Sequence, residues 1–293
     1  MPAAQTDRPS APPKALPMSK PLRNRATPPR SPDPGPTMKR LVYAHRGAAA
    51  EQPENTLPSF RLALDLGANA LETDAQLTAD GPIVVSHDPT GARMCGIARP
   101  IAKSTLAEIR SWDAGWGFSG PSGGRPFAGK GYSMPTLEEL LVEFPGVPLN
   151  VDAKSRHPEM VPTLLRLLRR LRAQEHVRIA SFSDLNVLRA RRGRYEGSTG
   201  LSPMEVAAVR LLPLGALRQW KLAGRALQVS PRSGGLSLDA PGFIAKCHAL
   251  GLRVDYWTIN SPEEARRLFA AGADGVMTDD PRAVAPVLRG LDG

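Results

Sequence analysis

From Lys39 onward, short runs rich in β-branched and aliphatic residues alternate with amphipathic segments of helical periodicity. This alternation is typical of consecutive βα units, which form a parallel sheet covered by helices. The pattern predicts strands at 41–44, 70–76, 83–86, 148–152, 178–181, 198–200, 226–229, 253–258 and 275–278. It predicts helices at 57–66, 106–112, 137–144, 158–172, 185–194, 203–211, 241–250 and 262–270.

One of these strands is surplus to an eight-stranded barrel, and a turn signal explains it. Asp80-Gly81 favours a hairpin, so the strand at 83–86 is predicted to fold back beside 70–76. The other eight strands are predicted to close a (β/α)8 barrel. An open, doubly wound sheet is the alternative, but the sequence has no glycine-rich dinucleotide or P-loop motif to support it. Approximately residues 88–145 are predicted to form an insertion over the barrel mouth, where the active-site loops of such barrels cluster.

The first 37 residues differ in composition from the rest of the chain. Eleven of them are proline, and none is Val, Ile, Phe, Tyr or Trp. Such a segment buries too little apolar surface to offset its ordering entropy. It is therefore predicted to be a disordered, basic, proline-rich tail, and the folded barrel is predicted to span residues 38–289.

Charge and cysteine content narrow the possible partners and compartments. The formal net charge of +10 invites a nucleic-acid interpretation. However, the tail alone carries six basic and two acidic residues, and arginine greatly outnumbers lysine throughout. We therefore predict no nucleic-acid partner. Cys95 and Cys247 are too few for a disulfide framework or a zinc cluster. No apolar stretch has the length of a membrane span and no signal peptide is visible, so a cytoplasmic protein without stable membrane insertion is expected.

Four pairs of polar and charged residues stand at or near the ends of the early strands, where a β/α barrel places its catalytic groups. They are His45 and Arg46, Glu72 and Asp74, His87 and Asp88, and Asp152 and Lys154.

Two of these pairs, Glu72 with Asp74 and Asp152 with Lys154, have i, i+2 spacing. Side chains alternate along a strand, so each pair shares one face. Two carboxylates directed into a barrel are costly without a cation, and they form a natural site for Mg²⁺ or Ca²⁺. Asp152 is a candidate third ligand, and Lys154 and Arg46 are candidate phosphate contacts. Taken singly, each pair has a simpler interpretation as a solvated face or a local ion pair.

In order and spacing, a longer series of motifs resembles the glycerophosphodiester phosphodiesterase family. The resemblance extends approximately over residues 41–281. Its motifs are Ala44-His45-Arg46-Gly47, Pro53-Glu54-Asn55-Thr56, Glu72-x-Asp74, His87-Asp88, Asp152-x-Lys154, Ser181-Phe182, Trp257-Thr258-Ile259-Asn260 and Gly272-Ala273-Asp274-Gly275-Val276-Met277-Thr278-Asp279.

The resemblance implies a TIM barrel of the phospholipase-C-like phosphodiesterase type, with an insertion after the second barrel strand. It implies hydrolysis of small-molecule glycerophosphodiesters to sn-glycerol 3-phosphate and an alcohol, with one divalent cation. His45 and His87 match the general acid–base pair, and Glu72 and Asp74 match metal ligands. Asp152 stands where the family usually has glutamate, one methylene longer. Arg46 and Lys154 match phosphate contacts, and Trp257 matches an aromatic residue of the substrate pocket.

Other functions remain open at this stage. The first is lysophospholipase D activity, with Leu211, Leu212, Leu214, Leu217 and Trp220 either forming an apolar approach for an acyl chain or packing as ordinary helix residues. The second is an inactive barrel that binds phosphoglycerol-type ligands. The head group, the native metal, the assignment of acid and base, the nucleophile and the oligomeric state do not follow from the sequence.

Overall fold

The computed structural model describes residues 39–120, 123–220, 222–233 and 235–290. The predicted tail at residues 1–37 lies outside the described residues. Eight parallel strands form the centre of the fold, numbered here as barrel strands 1 to 8. They are Leu41–His45, Ala70–Leu77, Leu149–Ala153, Val177–Ala180, Ser198–Thr199, Ala226–Val229, Arg253–Tyr256 and Gly275–Thr278.

The order of these strands makes the sheet a barrel. Along the sheet the order is 5-4-3-2-1-8-7-6, and every neighbouring pair is parallel. The two ends of this series meet through a parallel bridge between Gly200 and Ala226, where the Leu201 amide donates to the Ala226 carbonyl at 2.8 Å. The predicted (β/α)8 barrel is confirmed. The open-sheet alternative is wrong because strands 5 and 6 are connected.

Helices pack on the outside of the barrel, and the eight predicted ones are all present with ends shifted by a few residues. They are Leu57–Asp65, Leu106–Arg110, Leu137–Glu143, Met160–Arg170, Asp184–Arg192, Pro203–Leu211, Pro241–His248 and Pro262–Ala270. Helices not predicted are Ala92–Cys95, Leu214–Trp220, Pro281–Val284 and Pro286–Arg289. Three of the predicted helices begin with reciprocal capping boxes, formed by Thr105 with Glu108, Thr136 with Glu139 and Ser202 with Glu205.

The extra strand lies where the turn signal predicts it. Ile83–Val85 pairs antiparallel with barrel strand 2, with Ala75 opposite Val85. The chain then enters the insertion, which contains the short antiparallel pair Thr90–Gly91 and Ile97–Pro100. The described residues between 111 and 135 form neither helix nor strand.

The amino-terminal end of the barrel is closed by a buried charged network. The fully buried Asp255 carboxylate lies 3.0 Å from Arg178 Nη1 and 3.0 Å from Arg253 Nη2. The Tyr43 hydroxyl lies between Arg178 and Asp255. Gly275 faces this network, and a Cβ there would collide with the Asp255 carboxylate. In the described part of the chain this polar network occupies the amino-terminal end of the barrel, so a site is expected at the opposite, carboxyl-terminal end.

Apolar packing between strands and helices holds this frame together. Leu164 and Leu168 of one helix are completely buried, whereas Arg169 and Arg170 of the same helix are exposed. That alternation is the amphipathic pattern expected of an outer barrel helix. Among the described helices, none combines the length and the apolar character needed to cross a bilayer.

Candidate active site

A cavity of about 490 Å³ opens at the carboxyl-terminal end of the barrel strands. The eight residues to which the sequence assigns a catalytic, metal or substrate role all line it: His45, Arg46, Glu72, Asp74, His87, Asp152, Lys154 and Trp257. They lie on barrel strands 1, 2 and 3, directly after strands 1, 3 and 7, and on the loop after the extra strand. The barrel therefore brings together groups that are up to 212 residues apart in the chain.

A sharp turn directs the first two groups into the cavity. Strand 1 ends at His45, and Arg46 and Gly47 follow with φ values of 60° and 90°. Glycine is required at the second position because a Cβ would collide with Ser59. The Arg46 amide donates to the Glu72 carbonyl at 3.0 Å, which anchors the turn to strand 2.

His45 is held by a carboxylate from the far end of the chain. Its Nδ1 lies 2.6 Å from Asp279 Oδ1, and its Nε2 lies 3.8 Å from Glu72 Oε2. Asn260 Nδ2 donates to Asp279 Oδ2 at 3.1 Å and fixes the carboxylate. Burial opposes protonation of His45, but the carboxylates of Glu72 and Asp279 outweigh it, so the pKa of His45 is raised.

Asp279 had no role predicted from the sequence, although it is the last residue of the final matched motif. The sequence feature that could have identified Asp279 as a site residue is its position. It directly follows barrel strand 8, which is the neighbour of strand 1 in a closed barrel.

His87 has a comparable arrangement built from local residues. Its Nδ1 lies 2.9 Å from Asp88 Oδ1, and Arg93 Nε contacts the other oxygen of Asp88 at 2.6 Å. Arg93 also forms a two-point ion pair with Glu54, at 2.6 and 2.7 Å. Burial tends to raise the pKa of Asp88, but hydrogen bonding to His87 and the charge of Arg93 lower it overall.

Three buried carboxylates form the floor beside these histidines. Asp74 and Asp152 are direct neighbours on strands 2 and 3, and Glu72 is two residues earlier on strand 2. Glu72 Oε2, Asp74 Oδ2 and Asp152 Oδ1 are buried without a hydrogen-bond partner. Burial, together with the charge of Asp74, raises the pKa of Glu72 to about 8.

Two cationic side chains neutralise part of this negative charge. Lys154 Nζ lies 2.7 Å from Asp152 Oδ2 and 3.1 Å from Asp74 Oδ1. Arg46 Nε lies 3.1 Å from Asp74 Oδ2, within ion-pair distance but without hydrogen-bond alignment. In the described part of the chain, no three His, Cys, Asp or Glu side chains form a ready metal cluster.

One wall of the cavity is apolar. It consists of Phe182, Leu201, Pro203, Val206, Ala207 and Trp257. The rings of Phe182 and Trp257 meet edge to face at 5.9 Å, and Lys154 Nζ lies 5.1 Å from the Phe182 ring centre.

None of the five residues considered either as an apolar approach or as ordinary helix packing lines the cavity: Leu211, Leu212, Leu214, Leu217 and Trp220. Leu217 is buried in the barrel's outer core, as ordinary helix packing predicts, whereas Leu211 and Trp220 are exposed. Helix Pro203–Leu211 contributes Pro203 and Val206 to the cavity wall instead. Sequence periodicity identified the helix but not which of its faces meets the cavity.

The remaining thiols and histidines lie outside the cavity. Cys95 and Cys247 are free and buried. His248 Nε2 lies 2.9 Å from Asp274 Oδ2, and Asp274 immediately precedes strand 8, at the end of the barrel opposite the cavity.

Comparison with known proteins agrees with this geometry. Residues 45–283 match the model of the glycerophosphoryl diester phosphodiesterase family. A glycerophosphodiester phosphodiesterase from Caldanaerobacter subterraneus subsp. tengcongensis is 32% identical, over 86% of this chain and 99% of its own length. A solved phosphodiesterase from Oleispira antarctica, in complex with its product sn-glycerol-3-phosphate, has a TM-score of 0.70 at 25% identity. That match covers 86% of this chain and 97% of the other. The human lysophospholipase D GDPD1 is 25% identical, over 81% of this chain and 82% of its own.

Proposed function

Since the chain belongs to the glycerophosphoryl diester phosphodiesterase family, we propose that it hydrolyses small glycerophosphodiesters to sn-glycerol 3-phosphate and an alcohol. The observation that carries this proposal is the convergence of two histidine–carboxylate pairs, three buried carboxylates and two cations on one cavity. A relative of the family is known in complex with sn-glycerol-3-phosphate as product.

Phosphodiester hydrolysis needs charge neutralisation at the non-bridging oxygens, and this cavity offers two cations for it. Arg46 and Lys154 both line the cavity and are held in position by Asp74. Arginine matches a phosphate with its planar fork, and lysine acts as a point charge. These two side chains would bind the diester and stabilise the additional charge that develops on its oxygens.

The reaction also needs one group that accepts a proton and another that donates one. In His45 and His87 the carboxylate engages Nδ1, which leaves Nε2 of each ring for the substrate. A carboxylate at Nδ1 fixes the tautomer and orientation of an imidazole. We assign general acid–base work to this pair, and the nucleophile is water or a neighbouring substrate hydroxyl.

A divalent cation, Mg²⁺ or Ca²⁺, belongs to the same proposal. The carboxylate oxygens of Glu72, Asp74 and Asp152 that lack a hydrogen-bond partner are the hard donors these ions prefer. The raised pKa of Glu72 reflects the cost of burying these charges together, a cost that a cation would offset. When bound, the cation would supply further charge stabilisation at the phosphate.

The direct test is release of sn-glycerol 3-phosphate from glycerophosphocholine and glycerophosphoethanolamine, with Mg²⁺, Ca²⁺ or EDTA. We expect cation-dependent release by the wild type, loss of release in His45→Ala, and retention in His248→Ala, a histidine outside the cavity. Release that survives His45→Ala would refute the assignment of the site. Absence of release with either cation would favour a barrel that binds phosphoglycerol-type ligands without turning them over.

The apolar wall favours a second candidate function, lysophospholipase D activity. The apolar wall lines the same cavity as the charged groups and offers apolar contacts for the first carbons of an acyl chain. A relative from human is named lysophospholipase D. Turnover of lysophosphatidylcholine, compared with glycerophosphocholine, tests this candidate. Turnover that falls selectively in Phe182→Ala would support it, and the absence of lysolipid turnover would remove it.

A further inference from the structure

The exposed large apolar side chains of the described residues are concentrated on one side of the barrel. All except Val142 fall between residues 182 and 236, after barrel strands 4, 5 and 6. Five of them form what we call the apolar face: Phe182, Leu185, Leu188, Met204 and Leu211. Scattered exposed apolar residues are normal, but such a concentration indicates an interaction surface.

Two adjacent helices carry four of the five residues of the apolar face, and Phe182 lies just before the first of them. Helix Pro203–Leu211 buries Ala208 and Val209 towards the core, but its outward residues Met204 and Leu211 are apolar as well. On helix Asp184–Arg192 the outward positions Leu185 and Leu188 are also leucine. The Met204 amide donates to Asp184 Oδ1 at 3.0 Å, so the first turns of the two helices lie side by side.

The apolar face is continuous with the cavity. Phe182 belongs to both, being 68% exposed while also lining the cavity beside Trp257. Pro203 and Val206, from the same helix as Met204, line the cavity as well. A partner that covers the apolar face would therefore meet the mouth of the cavity.

The surrounding charge is positive. Arg156 and Arg232 are exposed on the loops after strands 3 and 6, which flank the segments after strands 4 and 5 in the order of the barrel. Among the acidic groups of these loops and of the two helices, Asp184 keeps its charge because its partner is a neutral amide, whereas Glu205, Glu159 and Asp239 are paired with arginines. Asp184 accepts the Met204 amide, buried Glu205 pairs with Arg191 at 2.7 Å, and Glu159 lies 3.5 Å from Arg166. The unbalanced charge on this side complements an anionic partner.

We propose that the apolar face docks the enzyme peripherally on an anionic phospholipid surface, with the cavity mouth at the interface. Apolar side chains that enter the headgroup boundary, flanked by arginines, are the combination by which peripheral proteins bind anionic bilayers. A protein partner or a second copy of the chain would be expected to match a face with fewer unpaired cations. This docking is independent of which diester the site hydrolyses.

Co-sedimentation of the full chain with vesicles tests the proposal. The vesicles are phosphatidylcholine alone and a mixture of phosphatidylcholine with phosphatidylglycerol. The test variant is the double substitution Leu185→Glu with Met204→Glu, and the control is Val142→Glu. Met204 and Val142 are equally exposed, at 63%, but Val142 lies on a different helix outside the apolar face. Glutamate in the first turn of a helix is favourable, so the double variant should fold.

We expect the wild type to bind the mixed vesicles, to release at high salt, and to bind phosphatidylcholine alone more weakly. Binding should fall about tenfold or more in the double variant, because two apolar contacts are lost and two negative charges added, and should be unchanged in the control. The basic residues 1–37 could also attract anionic vesicles, but they are the same in the double variant and in the Val142→Glu control. Equal vesicle binding by these two variants would therefore overturn the proposal. The proposal would also be overturned if the wild type did not bind the vesicles. It would be overturned as well if the double substitution changed the oligomeric mass of the protein but left its vesicle binding unchanged.

Release of sn-glycerol 3-phosphate from soluble glycerophosphocholine provides the independent readout. Neither Leu185 nor Met204 lines the cavity, so the double variant should retain this activity. Loss of vesicle binding with retained activity would separate docking from catalysis. If the wild type bound vesicles through the apolar face but released no sn-glycerol 3-phosphate, the proposed function would be refuted and the docking proposal would stand.

Discussion

His45 Nδ1 lies 2.6 Å from Asp279 Oδ1, across the point where barrel strands 1 and 8 run side by side. The two residues are 234 positions apart in the chain. Closure of the barrel therefore completes a histidine–carboxylate pair whose partners share no local motif. The same contact raises the pKa of the histidine and, against the effect of burial, lowers the pKa of the carboxyl group.

We predict that Asp279→Asn lowers kcat by about two to three orders of magnitude, because an amide at Nδ1 no longer fixes the tautomer or stabilises the imidazolium. Loss of the carboxylate also removes one cause of the raised pKa of His45. The limb of the pH–rate profile that reports the titration of His45 should therefore move to lower pH. The measurement is kcat as a function of pH. His248→Gln breaks a similar pair outside the cavity and should change neither quantity. An unchanged pH profile in Asp279→Asn would show that Asp279 only supports the fold.

Asp152 provides a prediction on cation affinity. One of its oxygens lacks a hydrogen-bond partner and the other pairs with Lys154 at 2.7 Å. Asp152→Asn should weaken Mg²⁺ or Ca²⁺ binding about tenfold or more, because a charged hard donor is removed. Asp152→Glu should keep or tighten it, since the longer side chain reaches further from Lys154. Calorimetric titration measures both, with exposed Glu263→Gln as control. Wild-type affinity in Asp152→Asn would exclude this residue as a ligand.

The ion pair between Arg191 and Glu205 should stabilise the fold at neutral pH. Glu205 also accepts the backbone amides of Ser202 and Ala223, at 2.8 and 3.1 Å. Burial opposes ionisation of Glu205, but these contacts outweigh it and lower its pKa. Glu205→Gln should therefore reduce the free energy of unfolding by about 3 kcal/mol at pH 7.

The pH dependence of that effect has a defined sign. A lowered carboxyl pKa contributes stability that is full above the unfolded pKa, about 4.3, and is lost as the pH falls through the folded pKa. The difference between wild type and Glu205→Gln, measured by urea unfolding, should shrink below pH 4.5 or so. A difference that grows on acidification would contradict the assignment.

Both cysteines should be inert in the native state. Burial raises the thiol pKa of Cys95 and Cys247 to about 12 in each case. Because the thiolate is the reactive form, a thiol reagent at pH 8 should label neither residue until the protein is denatured. Counting labelled thiols with and without urea checks this, and rapid native labelling of either residue would indicate local opening.

Much of the architecture could be predicted from local pattern. The position of each barrel strand follows from its short apolar run, and the fold-back of Ile83–Val85 follows from Asp80-Gly81. The short helices at Leu214–Trp220 and Pro281–Val284 were missed because so few residues show little periodicity. Unlike the equally short helices that begin at Leu106 and Leu137, these two have no Ser/Thr-x-x-Glu capping box to mark their start.

The sequence by itself determined which residues stand at the carboxyl ends of the strands, and hence that His45, Glu72, Asp74, His87 and Asp152 share one cavity. This followed because side-chain alternation is a local property of each strand, and a parallel barrel places the carboxyl ends of all its strands at one rim. Only the tertiary structure decided their partners. Asp279 meets His45, and Arg93 connects Asp88 to Glu54, because barrel closure and the insertion bring distant segments together. Likewise, which face of helix Pro203–Leu211 meets the cavity depends on how that helix packs, since both faces are apolar.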